Sequence, residues 1–338
     1  MPRLSGTALT LGMALAVPLP LAADPAISAE AERQIESVIE TSLILTDSDA
    51  ISLGMLQFDP GNYVGLESED FGSAESVNRR RKIRTFVLPW HWQTGDVEQG
   101  ASTYGRARLS YFEAEQDVLY RAESPPEDSG DDAADTSQSR VTGGYLGGGV
   151  NYKWTERWQG SLGIGAHLLH YTNDHDYNSA LSQAAAGDTD GLLFNSSVNA
   201  LVGEARARVT YQNSVRGLPW KFHSTYTYYA GDSINSNSAA DVVSPETWSW
   251  VNGVELTSDM PQIRGTDNRL RFFTSRVDVG GGAERTLSTD HYYELGAGWL
   301  FELPKDTPWV DNLGISVSVN VGSALGGGNL SLLYNEKW

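Results

Sequence analysis

The strongest constraint on this chain is a period of two. From Trp158 to Leu168 one face reads Trp158, Gly160, Leu162, Ile164, Ala166, Leu168, and the other Gln159, Ser161, Gly163, Gly165, His167. From Leu313 to Val321, Leu313, Ile315, Val317, Val319 and Val321 alternate with Gly314, Ser316, Ser318 and Asn320. Successive side chains of a strand point to opposite faces, so these stretches read as strands with one apolar face. Similar alternation appears at 206–211, 221–228, 247–256 and 292–303. The pattern predicts strands near 51–58, 82–92, 102–120, 140–154, 158–171, 192–213, 220–230, 246–257, 267–279, 289–302, 312–322 and 328–338.

A soluble sandwich alternates in the same way, and three further features favour a membrane barrel. The first is asymmetric punctuation. Long polar connections at 59–81, 121–139, 172–191 and 231–245 alternate with tight ones at 155–157, 214–219 and 258–264. Outer-membrane barrels have long outer loops and short periplasmic turns. The second is the placement of tryptophan. Trp90, Trp92, Trp154, Trp158, Trp220, Trp299, Trp309 and Trp338 fall beside predicted periplasmic turns or the chain end, and Trp248 and Trp250 near the opposite rim. Amphipathic rings collect where hydrocarbon meets headgroups. The third is the last strand, where Leu330, Leu332, Tyr334 and Trp338 occupy alternating positions and form the expected assembly signal, with Glu336 out of pattern.

Other classes are excluded. A net charge of -19 and a pI near 4.6 argue against nucleic acid, which needs a basic footprint. The absence of cysteine removes disulfides, thiolate zinc sites and thiol nucleophiles. Beyond the first two dozen residues no run approaches the roughly 18 apolar residues of a membrane helix. Arg3, the apolar stretch Ala8–Leu21 and the small pair Ala22-Ala23 have the order of an export signal over 1–23. The expected organisation is that signal, a linker over 24–50, and a barrel over 51–338.

Within the linker the period lengthens. Ile35, Val38, Ile39 and Leu43 form an apolar stripe at helical spacing over about 29–45. Glu32, Glu36 and Glu40 stack along one face, an acidic ladder that gains stability where it meets fixed positive charge. Arg106 and Arg108, Arg206 and Arg208, and Arg269 and Arg271 share strand faces opposite apolar residues. Arginine on a lipid face at mid-membrane costs about 2–4 kcal/mol, so these faces should point into the lumen. Two pairings stay open: with the helix glutamates, which would make the helix a plug, or with lumen carboxylates Glu204, Glu255 and Glu294.

A helix followed by twelve strands, the stretch His291-Tyr-Tyr-Glu-Leu-Gly-Ala-Gly-Trp299 and the aromatic last strand together resemble the translocator domain of autotransporters. The resemblance covers nearly the whole chain after the signal. It implies an all-β fold in the bacterial outer membrane, a twelve-stranded antiparallel barrel with an N-terminal α-helix through a narrow polar pore. It implies insertion by the barrel-assembly machinery, which reads the last strand. Only a few residues separate the helix from the signal, and no Asn lies between Asp24 and Gly61 for Asn-dependent passenger cleavage. The expectation is a solitary, passenger-less barrel, monomeric, without cofactor or metal, in a structural or translocator-like role. A porin-like diffusion channel is the alternative.

Candidate chemistry is thin. Ser224 in His223-Ser224 shares a face with Phe222 and Tyr226 and lacks a neighbouring base. Asp174-His175-Asp176 is expected in an outer loop and Asp290-His291 at a rim, the remaining places for a surface hydrolase. The acidic segment 123–135 offers oxygens to Ca²⁺ but lacks EF-hand spacing and reads better as a solvated loop. Arg79, Arg80, Arg81 and Lys82 should reach the outer rim, either against lipopolysaccharide phosphates or as a solvated basic turn.

Overall fold

The structure, a computed structural model, describes residues 25–58, 81–95, 100–118, 135–192, 194–234, 242–263, 265–304, 310–322 and 326–335. Helix α1 (Pro25–Leu45) is followed by strands β1 (Ile51–Phe58), β2 (Arg81–Thr94), β3 (Ala101–Val118), β4 (Asp135–Lys153) and β5 (Trp158–Asp176). After helix α2 (Ala180–Thr189) come β6 (Ser197–Val215), β7 (Leu218–Ile234), β8 (Glu246–Ile263) and β9 (Thr266–Gly281). Helix α3 (Gly282–Leu287), β10 (His291–Glu302), β11 (Asn312–Gly322) and β12 (Gly326–Tyr334) complete the order. Every strand pairs antiparallel with its chain neighbour, and β1 closes on β12 from Ile51↔Leu332 to Gln57↔Gly326. Closure leaves no unpaired sheet edge, which a bilayer would not tolerate.

The alternation sorts the strands as the sequence predicts. Leu146, Leu162, Ile164 and Leu168 are exposed on the outer face, while Val141, Tyr145, His167, Leu169 and Tyr171 are buried inside. Trp90, Trp92, Trp154, Trp158, Trp250 and Trp299 also lie on the outer surface. Leu330 and Leu332 face outward on β12, and the Tyr334 hydroxyl donates to the Pro89 carbonyl oxygen across the seam. Trp309 and Trp338 lie outside the described residues.

Several boundaries move. β4 begins at Asp135 and β5 runs on to Asp176, so the outer ends of these strands stand taller than the apolar pattern implies, while β8 runs on to Ile263 at the opposite, tight-turn end. Strand pairing continues above the hydrocarbon level, where both faces are polar and alternation carries no signal. Asp174, His175 and Asp176 therefore end a strand instead of lying in a loop. His175 stacks on Phe194 at 3.8 Å. The connection that follows is fastened by Asp135, whose carboxylate accepts from the Asn178 and Ser179 backbone N–H groups at 2.6 and 2.7 Å. Ser179 in turn caps α2, accepting from the Ser182 N–H at 3.1 Å.

Candidate functional site: the barrel lumen

Helix α1 stands inside the barrel. Ile35, Ile39 and Leu43 are almost fully buried, and they join one apolar cluster with Phe112, Val141, Tyr171, Val198, Val202 and Tyr229 from five strands. Burying a side chain of this size contributes roughly 1.5–3 kcal/mol, so the stripe alone holds the helix firmly. The resemblance implied a polar pore; where the stripe of α1 packs, the inner wall is apolar. The helix is kept slim by Ser37, Thr41, Ser42 and Thr46. Thr41 donates to the Ser37 carbonyl and Thr46 to the Ser42 carbonyl, each at 2.7 Å, so these buried hydroxyls are satisfied within the helix itself.

The acidic ladder does not meet the arginines. Glu36 accepts from the Ser244 N–H at 2.8 Å and Glu40 from the Glu246 N–H at 3.1 Å, both where the long connection 235–245 enters β8. Ser37 donates to the Gly282 carbonyl at 2.8 Å and contacts Thr286, docking α1 against α3. Among the described residues no ion pair joins Glu32, Glu36 or Glu40 to a lumen arginine. The N-terminal half of α1 thus sits at the end of the barrel that carries the long connections. Backbone N–H groups there supply the positive poles that one of the two open pairings had sought in arginine.

The arginines are held from the other end of the helix. Two residues beyond α1, the Asp47 carboxylate receives Arg108 Nη1 at 2.6 Å, Arg206 Nη1 at 2.8 and 2.9 Å, and Arg106 Nη2 at 3.3 Å. Asp49 takes a further contact from Arg106 at 2.8 Å. Behind them Glu204, fully buried, bonds His167 Nε2 at 2.9 Å and accepts from the Tyr145 hydroxyl at 3.1 Å. Glu204 lies 3.7 and 3.8 Å from Arg106 and Arg108. The Arg108 guanidinium lies over the Tyr145 ring, 4.9 Å from its centroid. Neither open pairing describes the hub: Asp47 belongs to the segment after α1, and of the expected lumen carboxylates Glu204 stands behind it and Glu255 takes Arg271. Arg271 pairs with Glu255 at 2.8 Å and Arg269 with Asp259 at 2.6 Å. Among the described residues Glu294 receives only a long contact from Ser275, at 3.5 Å. Arg208 makes no ion pair among the described residues.

Glycine makes this arrangement sterically possible. Tyr145 lies flat along the inner wall, over Gly147 on its own strand and Gly165 on β5; a Cβ at either would overlap its ring. Tyr104 lies in the same way over Gly149 and Gly163.

A family model for the solitary outer membrane autotransporter beta-barrel domain matches residues 36–336. The chain belongs to this family. Among solved structures it is similar to the transport unit of the autotransporter AIDA-I from Escherichia coli. That match has a TM-score of 0.52 and 9% identity over 91% of this chain and 99% of that one. It is also similar to the β domain of the Bordetella autotransporter BrkA, at a TM-score of 0.49 and 11% identity over 85% and 97%. A third is the translocator domain of NalP from Neisseria meningitidis, at 0.45 and 10% over 92% and 97%. At these identities the likeness concerns the fold. No curated protein matches the chain. This solitary autotransporter barrel is a protein of the bacterial outer membrane.

The remaining candidates on the solitary autotransporter barrel are dispersed. Ser224 Oγ accepts from Trp250 Nε1 at 2.9 Å on the outer face, while the His223 ring packs over Gly253 inside, so the two are on opposite sides of the wall. Asp290 and His291 pair with each other at 2.6 Å at the rim. Arg79, Arg80 and residues 123–134 lie outside the described residues; Arg81 opens β2, and Lys82 pairs with Glu115 at 3.0 Å. Asp47, Asp49, Tyr145 and His167 were missed by the sequence reading. The Asp-Ser-Asp run between helix and first strand, and the cluster Gly143–Gly149 around Tyr145, were the available signals.

Proposed function

We propose that this barrel is a self-plugged, translocator-type component of the outer membrane rather than an open diffusion pore. The observation that carries the reading is Asp47 bound by three arginines beneath a helix whose apolar stripe packs against the inner wall. An open channel keeps a continuous water path. Here the hydrocarbon stripe of α1 meets hydrocarbon from the wall, and a water path through that contact would re-expose it. With the long connections outward, the same packing brings the start of α1 to the cell surface, which suits a barrel whose role is to hold an N-terminal segment there. A catalytic role finds no support in the placement of Ser224, His223, His175 or Asp290-His291. No cofactor is called for, a monomer suffices, and the barrel-assembly machinery is the expected partner during insertion.

Reconstituted into planar bilayers, the full chain should show little conductance, and a variant lacking residues 25–45 a stable open state. An already open wild-type pore would favour the diffusion channel.

A further inference from the structure

The outer wall carries a feature that neither the plug nor the family explains. Between Leu109 on β3 and Leu168 on β5 the strand between them presents Gly144, and the missing side chain leaves an outward-facing groove of about 550 Å³. A Cβ at Gly144 would meet nothing nearer than Leu109 Cδ2 at 3.9 Å, so the groove is open space on the membrane-facing surface. At its upper end His170 Nδ1 and Asn199 Oδ1 lie 2.9 Å apart. One layer higher, the same faces carry charge. Arg140 Nη1 pairs with Asp174 at 2.7 Å, and Glu113 bridges Arg140, at 3.7 Å, and Arg84.

The order along each strand is apolar, then hydrogen-bonding, then charged. β4 reads outward Leu146, Gly144, Thr142, Arg140, and β5 reads Leu168, His170, Thr172, Asp174. An ordinary lipid-facing wall needs only the first of these layers and a girdle of aromatic rings. Half-exposed Arg84 and Arg140, interleaved with exposed Asp174 and buried Glu113 and fixed by strand pairing, complement a headgroup layer in which phosphates and divalent cations themselves alternate. The hydrogen-bonding layer lies where sugar hydroxyls of a glycolipid sit.

We propose that this face binds one phosphorylated, multiply acylated glycolipid of the outer leaflet. One acyl chain would lie in the groove over Gly144, the sugar against His170 and Asn199, and a phosphate on Arg140 and Arg84. Arginine forks match phosphate oxygens in a way that a neutral amide cannot. The inference rests on the outer-membrane location and not on the plug, so failure of either leaves the other standing.

The test is native mass spectrometry of the full chain in detergent, titrated with bisphosphorylated lipid A, its dephosphorylated form and phosphatidylethanolamine. One lipid A should bind, roughly tenfold or more tighter than either competitor, the order expected for a charge-assisted phosphate contact. Gly144→Leu should fill the groove and bring binding of both lipid A forms down to that of phosphatidylethanolamine, while R140Q should reduce binding of the bisphosphorylated form and leave the dephosphorylated form unchanged. Heat-modifiable migration on gels reports that each variant is folded, and the wild-type preference stands as a test should a variant fail to fold. Equal binding of lipid A and phosphatidylethanolamine, or full lipid A binding by folded Gly144→Leu, would overturn the proposal.

Discussion

Both carboxylate oxygens of Asp47 are bound by Nη1 of Arg206, at 2.9 and 2.8 Å, across 159 residues of chain. The contact ties the segment between α1 and β1 to the inner wall of β6. Burying charge carries a desolvation cost, so a pair like this persists only when its geometry is good and its remaining donors are satisfied. Arg108 and Arg106 complete that geometry from β3, which makes Asp47 the point where the plug is registered against the barrel.

Removing that charge should unseat the plug. In D47N the amide keeps the shape of the carboxylate but leaves three guanidinium groups facing one another. Breaking a buried pair this way costs on the order of 3–5 kcal/mol. The expected outcome is frequent opening events in single-channel recordings, against a quiet wild type. An unchanged trace would mean that the apolar stripe holds α1 alone.

The stripe has its own test. Leu43 is almost fully buried between α1 and the wall. L43A should leave a cavity and cost about 2–5 kcal/mol, the range for truncating a large core side chain. The loss should appear as faster protease cutting within α1 in reconstituted vesicles, with the barrel itself still resistant to heat and SDS. Loss of barrel stability instead would assign Leu43 to the wall and not to the plug.

Much of the fold was legible because the bilayer enforces a strict rule: Leu162 and Ile164 must face lipid, and their neighbours must not. The rule weakens at both ends of the strands, where Gln138 and Asp174 pair in register above the hydrocarbon and leave no periodic trace. The helix was legible from Ile35, Ile39 and Leu43, but its partners were not. Charge matching pointed Glu36 and Glu40 toward arginine. Sequence shows side-chain charge and hides the free backbone N–H groups at the mouth of a loop, which are what the two glutamates found. Asp47 and Asp49 were hidden for the converse reason, since a short acidic run between elements is usually just a solvated turn.

Glu40 gives the plug a pH dependence. It lies on α1 at the long-connection end, outside the membrane-spanning strands, and burial there pushes its carboxyl up to about 7, against the opposing effect of the backbone N–H groups it accepts from. A carboxyl with a raised value binds more protons when the helix is seated than when it is free. Between about 4.5 and 7 the seated state is therefore the more protonated one, and seating weakens as pH rises through that window. Opening measured at pH 5 and pH 8 should be more frequent at pH 8. E40Q should remove the difference while keeping the side chain's size. A pH effect that survives in E40Q would assign it to another group.

Orientation follows from where α1 begins. Glu36 and Glu40 bind the mouth of the 235–245 connection, so the helix runs inward from the long-connection end and reaches Asp47 inside the lumen. If that end faces the medium, a short epitope placed immediately before Pro25 should be stained by antibody on intact cells. An epitope in the tight turn at 264–265 should be stained only after the outer membrane is opened. The two positions share one chain and one expression level, so the contrast between them reads topology directly. Staining at 264–265 in intact cells would invert the barrel and remove the surface-presentation role with it.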